Sequence, residues 1–169
     1  ALLARFTGLA EQRAGQVMVA RTHNVSAQAT TLGKRFADVA EETMIGIERL
    51  EDLLDRYPLR GLKGPVGTRL DQLDLLGDAD KVDELERIVA EHLGFSRVLD
   101  SVGQVYPRSL DLDVVSALCQ ATSAPSSAVT TLRLMAGHEL ATEGCRAGQE
   151  GTSAMHHKMN ARSAERGNG

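Results

Sequence analysis

From Leu32 onward, apolar or small side chains recur at alternating steps of three and four, at Phe36, Val39, Thr43, Ile47, Leu50, Leu54 and Tyr57. This is the period of a helix with one buried stripe, and Pro58 stops it. Glu41, Glu42, Glu48, Glu51 and Asp52 mostly fall off the stripe, as a solvated or subunit-facing flank would. A helix of this length draws most of its stability from packing, so the stripe requires a bundle or a coiled partner. With 169 residues, 42% hydrophobic and 3% aromatic, the chain can build one aliphatic core of ordinary size, as one domain or part of one.

The rest of the chain is also read as helix and loop. Residues 59–68 hold Gly61, Gly64, Pro65 and Gly67 and cannot continue a helix. Val82, Leu85, Val89 and Leu93 share one face of a helix over 78–92, with Gly94 as its stop. A third helical run covers 109–120; Pro125 marks a kink or a cap, and Val129, Leu132, Met135 and Leu140 carry the pattern onward. Residues 144–151, rich in glycine, predict a mobile loop, and 159–166 are helix-compatible again. No alternating strand pattern with turn punctuation stands out, so the expected class is all-α, a long-helix bundle.

A formal net charge of -4 gives no overall attraction to nucleic acid or to an anionic membrane, so an anionic ligand has to be held by local positive charge. Cys119 and Cys145 are far apart and lack metal-type spacing, which argues against a disulfide framework or a zinc site and fits a reducing, cytoplasmic setting. No signal-like start and no apolar run of spanning length is present, so a soluble protein is expected. The chain begins without Met and stops at Gly167-Asn168-Gly169; both ends look like cuts through a longer protein.

Two stretches carry the chemistry. Residues 151–160, Gly-Thr-Ser-Ala-Met-His-His-Lys-Met-Asn, put small hydroxyls on a glycine-flanked loop ahead of a lysine and an amide. Such a loop can bring an alkoxide-forming oxygen and a cation to one anionic substrate. Near the front, His23 follows Thr22 at the expected joint between two helical segments, where Asn24 and Ser26 are candidate caps for the long helix. Imidazole side chains titrate near neutrality and can protonate a leaving nitrogen or oxygen. The adjacent His156-His157 pair lacks the carboxylate-histidine spacing of a metal site, and no metal is expected there. His92 and His138 are read as surface or interface residues.

The pattern Thr22-His23, Ala27-Gln28, Thr30-Thr31, Gly33-Lys34-Arg35 resembles the first signature of the fumarase and aspartase superfamily, in the form carried by adenylosuccinate lyases. Gly64, Gly67 and Thr68 resemble the second signature, and Ser153, Ala154, Met155, Lys158, Asn160, Glu165 and Arg166 the third. The stretches 60–68 and 106–109 look most like the actinobacterial type. The resemblance covers essentially the whole chain and would make residues 1–169 part of the central helical domain, without its flanking domains. It implies cofactor-free β-elimination of fumarate from a succinylated purine nucleotide, in a homotetramer whose sites collect residues from three subunits. His23 would be the general acid and Thr152 would stand at the base position. Thr22, Ser153, Lys158, Asn160 and Arg166 would hold the substrate, the arginine as a planar donor fork.

Three departures qualify the resemblance. The family's catalytic serine, six residues before the lysine, is Thr152 here, which keeps the oxygen but stiffens χ1 and is expected to impair proton abstraction. His156 replaces a proline, removing a rigid bend. Arg69 stands where the family has a substrate-binding glutamine, and a cation there is expected to alter recognition. Alternative readings are another lyase of the superfamily, such as an argininosuccinate or carboxymuconate type, and a non-enzymatic oligomerisation module or inactive remnant.

Overall fold

The computed structural model describes residues 1–144, 154–155 and 158–169. Its elements run α1 (Leu2–Gln12), β1 (Val17–Thr22), β2 (Val25–Thr31), α2 (Leu32–Arg56), α3 (Leu70–Leu76), α4 (Ala79–His92), α5 (Ser109–Gly137) and α6 (Arg162–Gly167). Two compact units emerge, one of Ala1–Ile47 with Gln120–Gly169, the other of Glu48–Cys119. The chain is largely helical, as expected of a helical-bundle domain. Among the described residues no helix is long and apolar enough to cross a membrane.

One stretch departs from the all-helical expectation. Residues 17–31 form an antiparallel hairpin rather than a joint between helices. Its strands are rich in β-branched Val17, Val19, Thr22, Val25, Thr30 and Thr31, which favour extended backbone over helix. The predicted helix caps Asn24 and Ser26 therefore have another place, in the turn and in β2; the first turn of α2 is capped by Thr31, whose Oγ1 accepts from Lys34 N at 3.0 Å.

In the first unit, the long helix appears where the periodicity placed it, but its buried face is turned by about one residue. Thr43 of the expected stripe is buried, as are Gly33 and Gly46 and, in the second unit, Leu53, while Ile47 and Leu54, both in the expected stripe, are exposed. Gly46 explains part of this turn: a Cβ there would stand 3.0 Å from Ala121 Cα, so the backbones of α2 and α5 approach at small residues that a hydropathy pattern does not count as core. Gly33 is tighter still. A Cβ at 33 would lie 2.5 Å from Ala10 O and 2.6 Å from Ala14 Cα, at the place where the end of α1 meets the start of α2 and Gly33 N donates to Arg13 O at 2.9 Å. Phe6 stacks on Phe36 nearby, with ring centroids 6.4 Å apart. Because the obstruction is backbone, Gly33→Ala is expected to destabilise the protein by about 1–3 kcal/mol through overpacking. Urea denaturation checks this, and an unchanged midpoint would contradict it.

In the same unit α5 continues past Pro125 to Gly137, so the proline neither ends nor caps the helix. Ala124 and Ala128 are buried along it. Past the helix end, Glu139 takes φ 58° and Leu140 N returns to Met135 O at 2.9 Å, closing the last turn.

The second unit is organised around a buried carboxylate. Asp78 caps α4 by accepting from Asp80 N at 2.8 Å, and Gly94 at φ 80° ends it, the latter as expected from the sequence. On the inner face of α4, Glu86 accepts from Lys63 Nζ at 2.6 Å and from Leu62 N at 2.9 Å. The 59–68 segment is a loop, as its glycines require. The Arg60 guanidinium pins it by donating to the carbonyls of Gly61, Gly64 and Gly103, and Leu59 bridges Val98 in parallel.

Candidate active site

Thr22 pairs with Val25 across the end of the hairpin, leaving His23 and Asn24 as a two-residue turn with φ 49° and 64°. Positive φ at both positions is the signature of a type I′ turn, the connection whose twist matches paired strands. Asparagine tolerates this region well, and histidine is among the few other residues enriched there. Arg21 Nη1 closes the turn by donating to Asn24 O at 2.8 Å. Further back, Ala20 stands opposite both Ala27 and Gln28, because the register shifts between the pairs Val19–Ala29 and Arg21–Ser26. Such a bulge bends a hairpin and re-aims its tip. His23 is exposed at that tip.

His23 lines a groove of about 270 Å³ together with Arg21, Asn24, Arg35, Thr131 of α5 and His138 just past its end. Two guanidinium groups and two imidazoles face it, and its lining contains no carboxylate. This is the local positive charge that an acidic chain needs to hold an anion. Sequence reading missed Arg21, Arg35 and His138 as site residues. No spacing rule links His138 to His23, which the chain separates by most of its length.

Lys158 and Asn160 line a different groove of about 500 Å³, with Thr130, Arg133, Gly137 and Glu165. It lies on the neighbouring face of α5; Leu134 contributes to both grooves, but His23 is not in the lining of this one. Lys158 N donates to Met155 O at 2.9 Å, and Asn160 O accepts from Arg162 N at 2.9 Å, which ties this segment to the first turn of α6. Arg166 is exposed on the last turn of α6 and lines neither groove. The single chain thus does not gather His23, Lys158 and Asn160 into one cavity.

Thr152, Ser153, His156 and His157, together with most of the glycine-rich 144–151 stretch, lie outside the described residues. Among the described residues no group of three His, Cys, Asp or Glu side chains could hold a metal ion. Arg69, in the second unit, takes φ 57° ahead of α3 and turns its guanidinium onto α4, 2.6 Å from Asp83 and 3.6 Å from Glu86.

Residues 1–169 match the family described as lyase. The chain is 37% identical over 146 residues to the adenylosuccinate lyase of Saccharomyces cerevisiae, covering 86% of this chain and 30% of that protein. It is 35% identical over 152 residues to the adenylosuccinate lyase of Schistosoma mansoni, covering 89% and 32%. The similarity extends to archaea, with 30% identity over 154 residues to the adenylosuccinate lyase of Pyrococcus abyssi, covering 90% and 33%. The chain spans about a third of the length of these curated relatives.

Proposed function

Since the chain belongs to the lyase family, we propose that it is the central helical part of an adenylosuccinate lyase, cleaving adenylosuccinate to AMP and fumarate. The succinylated aminoimidazole carboxamide ribotide of purine synthesis is its second substrate, and the setting is the cytoplasm. The observation that carries this reading is the agreement between the named relatives and His23, a histidine at the apex of a hairpin beside a cationic groove.

In this reaction a base takes a proton from the succinyl carbon next to a carboxylate, and the charge spreads into that carboxylate. The C–N bond then breaks as an acid protonates the departing nitrogen. His23 is that acid, with the Thr22 hydroxyl beside it, and Thr152 stands at the base position with Ser153 as its neighbour. Lys158, Asn160 and Arg166 hold the carboxylates, where fixed donors lower the energy of the developing charge. The reaction calls for no cofactor, and residues outside this chain are expected to complete the site.

The separation of His23 from Lys158 and Asn160 within one chain supports a site assembled between copies, in a homotetramer. So does the apolar surface left on the long helices: Ile45 and Leu54 on α2, and Leu112, Val115 and Leu134 on α5, are all exposed. Isolated apolar side chains are ordinary at a surface, but rows on long helices mark an interface.

The whole protein that contains this chain is expected to release fumarate from adenylosuccinate, followed by absorbance, and to leave argininosuccinate untouched. Turnover of argininosuccinate instead would transfer the chain to the rival lyase, and an inert tetramer would make it an oligomerisation module.

A further inference from the structure

Glu143 has no part in the chemistry above, yet it makes a pair of contacts that bears on it. The short α6 is preceded at its N-cap by Ala161, whose side chain has no oxygen to accept from the first amides of the helix. Glu143 supplies the acceptors from twenty residues earlier in the chain. Its Oε2 accepts from Ser163 N at 2.9 Å and its Oε1 from Ala164 N at 2.8 Å. These two backbone donors hold the Glu143 carboxyl below the usual carboxylate range, so the acceptor is ionised near neutral pH and both bonds are charge-assisted.

The far end of α6 has its own anchors on α5. Asn168 Oδ1 accepts from Ser126 Oγ at 2.5 Å, Asn168 Nδ2 donates to Thr130 Oγ1 at 3.3 Å, and a Cβ on Gly167 would meet Val129 at 3.2 Å. A six-residue helix has little stability of its own. Its start, where Arg162 N holds Asn160 O, is fixed by the carboxylate from outside the helix.

We propose that Glu143 is a positioning residue: by clamping the first turn of α6 it sets where Asn160 and Lys158 present their side chains and how the turn bearing Arg166 is directed. The proposal rests on the reading that these three residues hold the substrate carboxylates. Glutamine at this position keeps the shape but offers one carbonyl oxygen to two amides and turns a donor toward the other. Alanine releases both.

The test uses the whole protein with adenylosuccinate as substrate, comparing Glu143→Gln and Glu143→Ala with the unaltered enzyme. Glu143→Gln, near in shape, decides should the alanine variant fail to fold. The expected result is a KM raised about tenfold or more, since small displacements of substrate-holding groups are costly. kcat should fall as well, because the same donors stabilise the charge that develops in the transition state. The amides of Ser163 and Ala164 should lose hydrogen-exchange protection in the same variants. Asp78→Ala, which removes the cap of α4 in the other unit, should leave KM unchanged. Faster amide exchange with an unaltered KM would make the clamp purely structural and overturn the proposal while leaving the lyase reading intact. Unaltered exchange would overturn it as well. An unaltered enzyme with no activity on adenylosuccinate would overturn the lyase reading and the proposal with it.

Discussion

Replacing His23 with alanine is expected to lower the kcat of the whole enzyme on adenylosuccinate by about 10²–10⁴-fold, the usual contribution of a positioned general acid. At 1.36 kcal/mol per decade this is roughly 3–5 kcal/mol of transition-state stabilisation. Alanine alone confounds two effects, because residue 23 has φ 49° and a β-carbon without a compensating side-chain bond is strained there. His23→Asn separates them. Asparagine is at ease with positive φ, keeps the type I′ turn and cannot act as an acid near neutral pH. Both variants should lose activity alike, while circular dichroism and the thermal midpoint of His23→Asn stay near those of the parent. Retention of full kcat in His23→Asn would remove the histidine from the mechanism.

The largest expected effect on stability belongs to Glu86. Its carboxylate is nearly buried against an equally buried Lys63 ammonium, 2.6 Å away, with Arg69 at 3.6 Å and the Leu62 amide on its other oxygen. Removing one partner of such a pair leaves the other charge in the interior without compensation, which costs about 3–5 kcal/mol. Glu86→Gln should therefore be destabilised by about 3 kcal/mol, even though it fills the same volume. Lys63→Met combined with Glu86→Gln should recover much of that loss, because no charge is then stranded. A change in urea-denaturation free energy below about 0.5 kcal/mol for Glu86→Gln would contradict the view that its carboxylate is what compensates the lysine. The same geometry bears on Arg69. Its guanidinium is engaged with Asp83 and Glu86, so this departure from the family pattern first serves the packing of α3 and its loop on α4.

The helices were legible because their signals are local and periodic. The 32–56 repeat ended by Pro58, the apolar face of the 78–92 run and the Gly94 stop each declare themselves within a few residues. The rotation of the buried face of α2 was not legible, because it depends on the small residues Gly33 and Gly46, whose value is the close approach of a partner backbone rather than apolar area. The hairpin went unread for another reason. Its turn is His23-Asn24 instead of an asparagine-glycine pair, and the bulge opposite Ala20 breaks the alternation on which strand reading depends. An Asn between two segments rich in Val and Thr was the available clue. For the site, the resemblance pointed to His23, Lys158 and Asn160, but sequence order could not reveal that α5 presents two neighbouring faces to two grooves, nor that Arg35 and His138 share one with His23.

The passage from β2 to α2 occupies no residue at all, since Thr31 ends the strand and Leu32 begins the helix. Leu32 N donates to Gln16 O at 2.9 Å, Gly33 N to Arg13 O, and Lys34 N to the Thr31 hydroxyl, so both strands are bolted at their base to the same helical turn. The ribbon is then a lever. At about 3.4 Å per residue, the seven residues of β2 reach roughly 24 Å from this fulcrum. A swing of about five degrees at the root would sweep the imidazole through roughly 2 Å, which, for the general acid proposed above, is the difference between touching a leaving nitrogen and missing it. On the proposed role of His23, mutations beside Gly33 are expected to alter kcat from the far end of the ribbon.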